Sequence, residues 1–247
     1  MRSRLDKVLV DRGLAQTRAK ALGLIMAGQV VVDGRAVTKA GTPVGEGATI
    51  TLAPHREFVG RGALKLEAAL DAFLVDVKGM TVVDVGSSTG GFTEVLLKRG
   101  ARRVYAVDVG HGQLHWRLRN DPRVVCREGV NARFISREHV PEDCDMAVFD
   151  VSFISLKLVI PPVLELLRER SSLVALIKPQ FEAGRGQVGR GGIVRDPAVQ
   201  DLVVADMTTF FQGLRLDVSG VIPSPVKGAR GNQEYLIHAT RKVVPGQ

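Results

Sequence analysis

Cysteine is scarce: the 247-residue chain has two, Cys126 and Cys144. They fit neither a disulfide framework nor a four-ligand zinc site, and a reduced, cytoplasmic setting follows as the simplest expectation. No run of 18 apolar residues occurs, and the amino-terminal MRSRLDKVLVDRG has no secretory apolar core, which argues against membrane spanning and export. At the glycine turn within residues 81–93 neither phosphate-reading pattern is present, G-x-G-x-x-G or G-x-x-x-x-G-K-[ST]. Acidic residues are in deficit as well, 26 against 34 basic ones, for a formal charge of +8 and a pI near 9.9. Such an excess favours a polyanion, either nucleic acid or an acidic membrane surface. What remains is the balance of a globular protein with a full core, 45% hydrophobic and 24% charged. The length allows one large domain, or an ordinary domain with a small companion.

The chain is organised around residues 81–93, TVVDVGSSTGGFT. The β-branched run Val82, Val83, Val85 breaks into a glycine turn and then into helical sequence closed by Gly100, which predicts strand, turn, helix. Gly86, Gly90 and Gly91 let the backbone turn sharply and approach a ligand closely. A second strand, 103–109, carries Asp108, placed 22 positions after Gly86 to accept hydrogen bonds from ribose hydroxyls. A glycine turn and a ribose acid without a phosphate pattern suit S-adenosylmethionine; a structural turn with a surface aspartate is the plainer alternative. The candidate cofactor contacts are Asp84, Gly86, Ser87, Ser88, Thr89, Gly90, Gly91 and Phe92 around the turn, then Asp108, Val109, Asn131 and Asp150 at later strand ends. Trp116 either covers the adenosine or packs.

Residues 1–53 read as a separate unit, 54–60 as a linker and 61–247 as a larger domain. In the small unit Ser3 is expected to cap a helix bearing Leu5, Val8 and Leu9, and Thr17 a second with Leu22, Ile25 and Met26 inward, stopped at Gly28. Val30 to Val32 and Arg35 to Val37 flank Asp33-Gly34, the preferred type I′ hairpin dipeptide, and 48–52 forms a closing strand. Residues 1–60 hold nine basic and five acidic side chains. That is half of the chain's excess, lining either a polyanion site or a solvated face. The stretch RLDKVLVDRGLAQTRAKALGLIMAGQVVVDG resembles the small RNA-binding domain shared by a ribosomal small-subunit protein, pseudouridine synthases and tyrosyl-tRNA synthetases. That resemblance implies phosphate contacts from Arg4, Arg18 and Lys20.

Further along, a helix over 61–73 places Lys65 on an otherwise apolar face, where it either snorkels its stem over the core or serves a site, and Arg61 at its start is a candidate RNA contact. A third strand is expected over 124–127, with Asn131 after it placed either to read the adenine edge or in a plain surface loop. A fourth, 146–149, ends on Asp150, a helix is expected from Pro161 to Arg168, and a fifth strand, 173–177, ends on Lys178. The glycine- and arginine-rich stretch 182–196 reads either as a mobile lid gripping phosphates, with Arg185 and Arg190 as candidate RNA contacts, or as a disordered spacer. Asp196 caps and Pro197 opens a helix to about Phe211. Strand 216–222, a basic loop with Lys227 and Arg230, and a last strand 234–239 follow. If the last strand is antiparallel, Glu234 at its start joins Asp150 and Lys178 at the sheet's ligand edge.

Lys65, Asp150, Lys178 and Glu234 then stand in the order of the K-D-K-E tetrad of ribose 2′-O-methyltransferases of the RrmJ/fibrillarin-like class. GSSTGGFTEVLLKRGA, VDVGHGQL, LRNDPRVV, DVSFISL, KPQFEAGRGQVGRGG and GNQEYL are similar to the TlyA (haemolysin A-like) family over essentially the whole chain. The resemblance implies an α/β fold, a Rossmann-like methyltransferase domain with a mainly parallel sheet and an antiparallel last strand, preceded by a small α+β RNA-binding domain. It further implies S-adenosylmethionine as cofactor, ribosomal RNA or ribosomal subunits as partner, and cytidine 2′-hydroxyl methylation. Lys178 would act as a base or as a cation steadying the developing alkoxide. Two rivals are a non-catalytic RNA-binding assembly factor and a membrane-active haemolysin. The retained tetrad argues against the first, and the lack of a spanning or strongly amphipathic cationic segment against the second. Base methylation is disfavoured because Asp150 is followed by Val-Ser-Phe rather than a Pro-Pro-aromatic run.

Overall fold

The structure is a computed structural model; it describes residues 2–26, 29–52 and 58–241, with the side chains of Arg185 and Ala229 excluded. The chain divides into two compact units, residues 1–57 and 58–247.

The first unit contains β1 (Arg2–Arg4), α1 (Leu5–Asp11), α2 (Arg18–Met26), β2 (Val30–Val32), β3 (Arg35–Val37), β4 (Pro43–Gly45) and β5 (Ile50–Leu52). β2 pairs antiparallel with both β3 and β5, while β1 pairs with β4. Asp33 and Gly34 both have positive φ, 49° and 78°, as the expected type I′ turn requires. Leu5, Leu9, Ala21, Ile25 and Val30 form a fully buried core. Three details differ from expectation. Ser3 does not cap α1 but lies in β1 opposite Val44; the first helical N–H groups, of Leu5 and Asp6, are taken by the carbonyls of Thr42 and Ala40, so no side-chain cap is needed. On α2 the inward pair is Ala21 and Ile25, one helical turn apart, which leaves Leu22 and Met26 exposed. Strand β4 has no counterpart among the expected elements. Thr17 does cap α2, its Oγ1 accepting from the Lys20 N–H at 3.2 Å. Gly28, the expected stop, lies outside the described residues.

Most of the expected linker falls on residues 53–57, also outside the description. Phe58 packs in the core of the second unit, and the Val59 N–H donates to Glu94 Oε2 at 2.6 Å. There follow α3 (Gly62–Ala72), β6 (Thr81–Val85), α4 (Gly91–Lys98), β7 (Arg103–Asp108), α5 (Trp116–Arg119), β8 (Val124–Glu128), β9 (Cys144–Phe149), α6 (Leu156–Leu164), β10 (Leu167–Ile177), α7 (Pro179–Glu182), α8 (Pro197–Gly213), β11 (Leu216–Pro223) and β12 (Tyr235–Arg241). The seven strands form one sheet in the order β11-β12-β10-β9-β6-β7-β8. β12 alone runs antiparallel, to both β10 and β11.

Every residue of β6 is buried, as befits a central parallel strand covered on both faces. Val83 and Val85 face a core that includes α6 and α8, whereas Val82 faces one built with α3 and α4, the alternation of a pleated strand. Between β6 and β9 the connectivity reverses: β7 and β8 extend one way, and the chain then returns to the other side. Such a switch point opens a crevice beyond the carboxyl ends of the strands.

Helix α6 begins at Leu156, not at Pro161 as expected. Ser155 caps it, accepting from the Lys157 N–H, and Glu182 accepts from the Leu156 N–H at 2.8 Å. Pro161 and Pro162 lie inside the helix. Burial of Leu156, Val159, Ile160, Val163 and Leu164 along one stripe offsets the donors the prolines lack.

Candidate active site

Two clefts open at the switch point. The turn after β6 is fixed first: the N–H groups of Gly86 and Ser87 both donate to Val107 O, at 2.8 and 3.1 Å. Gly86 has φ 86°, and a Cβ there would sit 2.6 Å from Asp150 O, so a side chain is excluded both by backbone conformation and by space. Asp108, at the end of β7, accepts from the Ser88 N–H at 2.8 Å and the Gly110 N–H at 2.7 Å, which orients the carboxylate at the cleft wall.

The first cleft, of about 400 Å³, is lined by Gly86, Ser88, Asp108, Val109, Asn131 and Asp150, all anticipated, together with Gln113, Val130, Ala132, Phe153 and Ile154 among others. Among the described residues no lysine or arginine lines it. Its chemistry suits an adenosine bearing a cationic arm: a carboxylate for vicinal hydroxyls, apolar walls for a purine, and nothing basic to hold a phosphate. A small adjoining recess takes in Arg61, Ser87, Thr89, Gly91 and Phe92.

Two expected cofactor contacts line neither space. Asp84 is fully buried, its Oδ2 accepting from Thr93 Oγ1 at 2.6 Å while Oδ1 has no hydrogen-bond partner among the described residues. Burial pushes its carboxyl up to about 7. Gly90, with φ 97°, is required by packing, since a Cβ would run into the side chains of Leu118 and Leu114. Trp116 is largely exposed, stacked beside His115, and lines neither space.

The second cleft, about 360 Å³, shares Gly86, Ser88, Asp150, Ser152 and Phe153 with the first. It gathers all four residues of the expected tetrad. Lys178 Nζ lies 2.6 Å from Asp150 Oδ1 and donates to Ser152 Oγ at 2.8 Å. Lys65 Nζ lies 2.6 Å from Glu234 Oε2. Lys65, Lys178 and Glu234 are each less than a tenth exposed. The antiparallel course of β12 delivers Glu234 to the edge where β9 and β10 deliver Asp150 and Lys178. Gly228, in the loop before β12, abuts the Glu234 carboxylate, so that a Cβ at 228 would occupy its place.

Sequence reasoning missed several residues here. Phe153 and Phe181 meet with ring centroids 5.1 Å apart beside Lys178, and Phe153 holds a positive φ of 64°, uncommon for an aromatic residue. Ser152, Gln180 and Gly228 were also unassigned. Their only signal was adjacency to Asp150, Lys178 and Lys227. Glu182 ties the two site loops together: it accepts from Ser155 Oγ at 2.5 Å as well as from Leu156 N–H. Burial raises its carboxyl above the ordinary range.

Of the expected RNA contacts, Arg61 lines the second cleft and Arg190 is exposed; the Arg185 side chain lies outside the description. Arg4 and Arg18 are exposed and joined to Asp6, and Lys20 Nζ donates to Gln16 Oε1 at 2.6 Å. The glycine-rich stretch is held in place. Asn232 accepts from the Val194 N–H at 3.1 Å and donates to Gly192 O at 2.9 Å, Gly189 bridges Ile193, and Val194 is buried.

Residues 58–241 match the family model of FtsJ-like methyltransferases, and residues 3–50 that of the S4 domain. The chain is 47% identical over 96% of its length, and 89% of the relative's, to the 16S/23S rRNA (cytidine-2′-O)-methyltransferase TlyA of Mycobacterium tuberculosis. A solved structure of a candidate hemolysin from Streptococcus thermophilus superposes with TM-score 0.76 at 41% identity, covering 99% of this chain and 90% of that one. An S-adenosylmethionine-dependent methyltransferase from Mesorhizobium loti shares the fold alone, with TM-score 0.54 at 15% identity over 70% of this chain and 96% of that one.

Proposed function

Because the chain belongs to the FtsJ-like methyltransferases, to their TlyA family, and carries an S4 domain, we propose that it methylates the ribose 2′-hydroxyl of a cytidine in ribosomal RNA. The observation that carries this reading is the shared wall of the two clefts: Asp150, Ser152 and Phe153 border both. A donor beside Asp108 and a ribose beside Lys178 would meet there. Bound S-adenosylmethionine supplies the electrophilic sulfonium methyl.

The remaining work falls to the chain's own groups. A ribose hydroxyl is a poor nucleophile, so alignment and charge stabilisation dominate. Lys178, held by Asp150 and Ser152, presents a cation to the oxygen while the hydroxyl proton passes to water. Lys65 and Glu234 form a second, separate ion pair on the cleft wall, able to give and accept hydrogen bonds around the ribose. Arg61 and Lys227, which line the same cleft, attract the flanking phosphates. Phe153 and Phe181 supply an apolar surface for an unstacked base.

The name hemolysin carried by a related structure raises membrane lysis as a second activity. No helix among the described residues is long and apolar enough to cross a membrane. Transfer of labelled methyl groups to purified small and large ribosomal subunits, followed by digestion to nucleosides, tests the proposal. Label in 2′-O-methylcytidine is expected; label confined to a base, or none on either subunit despite cofactor binding, would contradict it.

A further inference from the structure

In the first unit the basic side chains do not share one fate. Arg12 is spent on the fold, its two terminal nitrogens donating to the carbonyls of Ala48 and Glu46 at 2.7 and 2.6 Å. Arg4 and Arg18 instead converge on one carboxylate, that of Asp6. Arg4 grips it with both Nε and Nη2 at 3.1 Å, and Arg18 Nη2 reaches Oδ2 at 2.9 Å. The backbone N–H of Lys7 donates to Oδ1 at 3.0 Å. Asp6 itself is only 6% exposed, whereas the Arg4 and Arg18 side chains are 59% and 64% exposed. The Arg4 guanidinium also lies along Gly41, where a Cβ would be in contact with Nη1 at 3.6 Å and Cζ at 3.8 Å.

A buried acid that binds two exposed arginines has two opposite consequences. By charge alone it weakens attraction for a polyanion, because it cancels one of two positive charges. By geometry it fixes two long, mobile side chains in one arrangement, leaving their other N–H groups open to a ligand. Planar guanidinium groups held at fixed spacing suit the paired oxygens of a phosphodiester.

We propose that Asp6 is a positioning residue for RNA: it holds Arg4 and Arg18 as a preformed phosphate clamp, so that an acidic side chain strengthens binding to an acidic ligand. This rests on the reading of the chain as an enzyme acting on ribosomal RNA. It makes a prediction opposite in sign to charge counting. Removing a negative charge from a basic surface ordinarily tightens RNA binding; at Asp6 it loosens it.

The test uses the full chain and purified ribosomal subunits, small and large assayed separately, with Asp6→Asn, Asp6→Glu, Arg4→Ala/Arg18→Ala and the triple Asp6→Asn/Arg4→Ala/Arg18→Ala variant. Expected are a loss of affinity of about fivefold or more for Asp6→Asn and a matching rise in KM for the subunit with kcat unchanged. Asp6→Asn should add nothing to the Arg4→Ala/Arg18→Ala background, as a residue acting through those arginines requires. Asp6→Glu keeps the charge but lengthens the arm, and should also weaken binding, which preserves the test if the Asn variant proves poorly folded by circular dichroism. Unchanged or tighter binding by a folded Asp6→Asn, or wild-type affinity in Asp6→Glu, would overturn the inference while leaving the RNA reading standing. Wild-type affinity in the Arg4→Ala/Arg18→Ala variant would remove both the clamp and the assignment of this unit to RNA.

Discussion

Gly228 and Glu234 are in direct contact across the turn that precedes β12, the glycine leaving the space that the carboxylate fills. Glu234 in turn holds Lys65 at 2.6 Å. A methyl group at 228 therefore pushes the carboxylate off its partner without replacing any charged residue. Gly228→Ala is expected to lower single-turnover methyl transfer about 10- to 100-fold, the loss associated with a displacement near 1 Å in a site that works by alignment. Wild-type rates in that variant would show that the Lys65–Glu234 pair need not be held in register.

At the other end of the crevice Gly86 is constrained twice over, by φ 86° and by the approach of Asp150 O. Gly86→Ala incurs about 1–2 kcal/mol for the left-handed backbone and a clash with rigid main chain besides. Equilibrium dialysis of S-adenosylmethionine should show binding lost, together with a lower Tm. Retained cofactor affinity would place the cofactor elsewhere.

Asp84 makes stability depend on pH in an unusual direction. Its carboxyl is pushed up to about 7 from 3.8, chiefly by burial, so between those values the folded state binds a proton that the unfolded state has released. Stability contributed at Asp84 is therefore present in acid and falls as pH rises from about 4 to about 7. Urea unfolding at pH 5 and pH 8 should show the wild type losing more stability over that interval than Asp84→Asn. Equal losses would mean the carboxyl is not titrating in the fold.

The glycine-rich stretch 182–196 depends on Asn232, which bonds to both Gly192 and Val194. Replacing it with alanine removes those bonds, at about 1 kcal/mol each. Trypsin should then cut after Arg190 or Arg195 about 30-fold faster, by the population of the open form. An unchanged cleavage rate would show the segment to be held by other contacts.

The elements that position the site were legible because their signals are local. The β-branched run before Gly86, the Asp33-Gly34 turn and the Asp196-Pro197 helix start each follow from a few neighbouring residues. The tetrad was legible too, because an antiparallel β12 is the arrangement that brings Glu234 to the edge shared by Asp150 and Lys178. What escaped was tertiary. Asp84 stands beside the glycine turn in sequence, yet strand alternation points it away from the cleft into the α3–α4 face. Gly90 reads as a ligand glycine but answers to Leu114 and Leu118. The start of α6 is hidden in the sequence because Pro161 and Pro162 signal a later start, while Ser155 has its partner, Glu182, in a distant segment. No pattern within Phe153 or Phe181 announces that their rings meet.

The central claim, that Lys178 acts on the 2′-hydroxyl rather than on the fold or the cofactor, is tested most directly by single-turnover methyl transfer to ribosomal subunits with wild type and Lys178→Ala. Cofactor affinity is measured in parallel. A loss of about 10²- to 10⁴-fold in transfer, with S-adenosylmethionine affinity within about threefold of wild type and the residual product still 2′-O-methylcytidine, is the predicted result. Transfer at the wild-type rate, or a loss matched by failure to bind the cofactor, would contradict it.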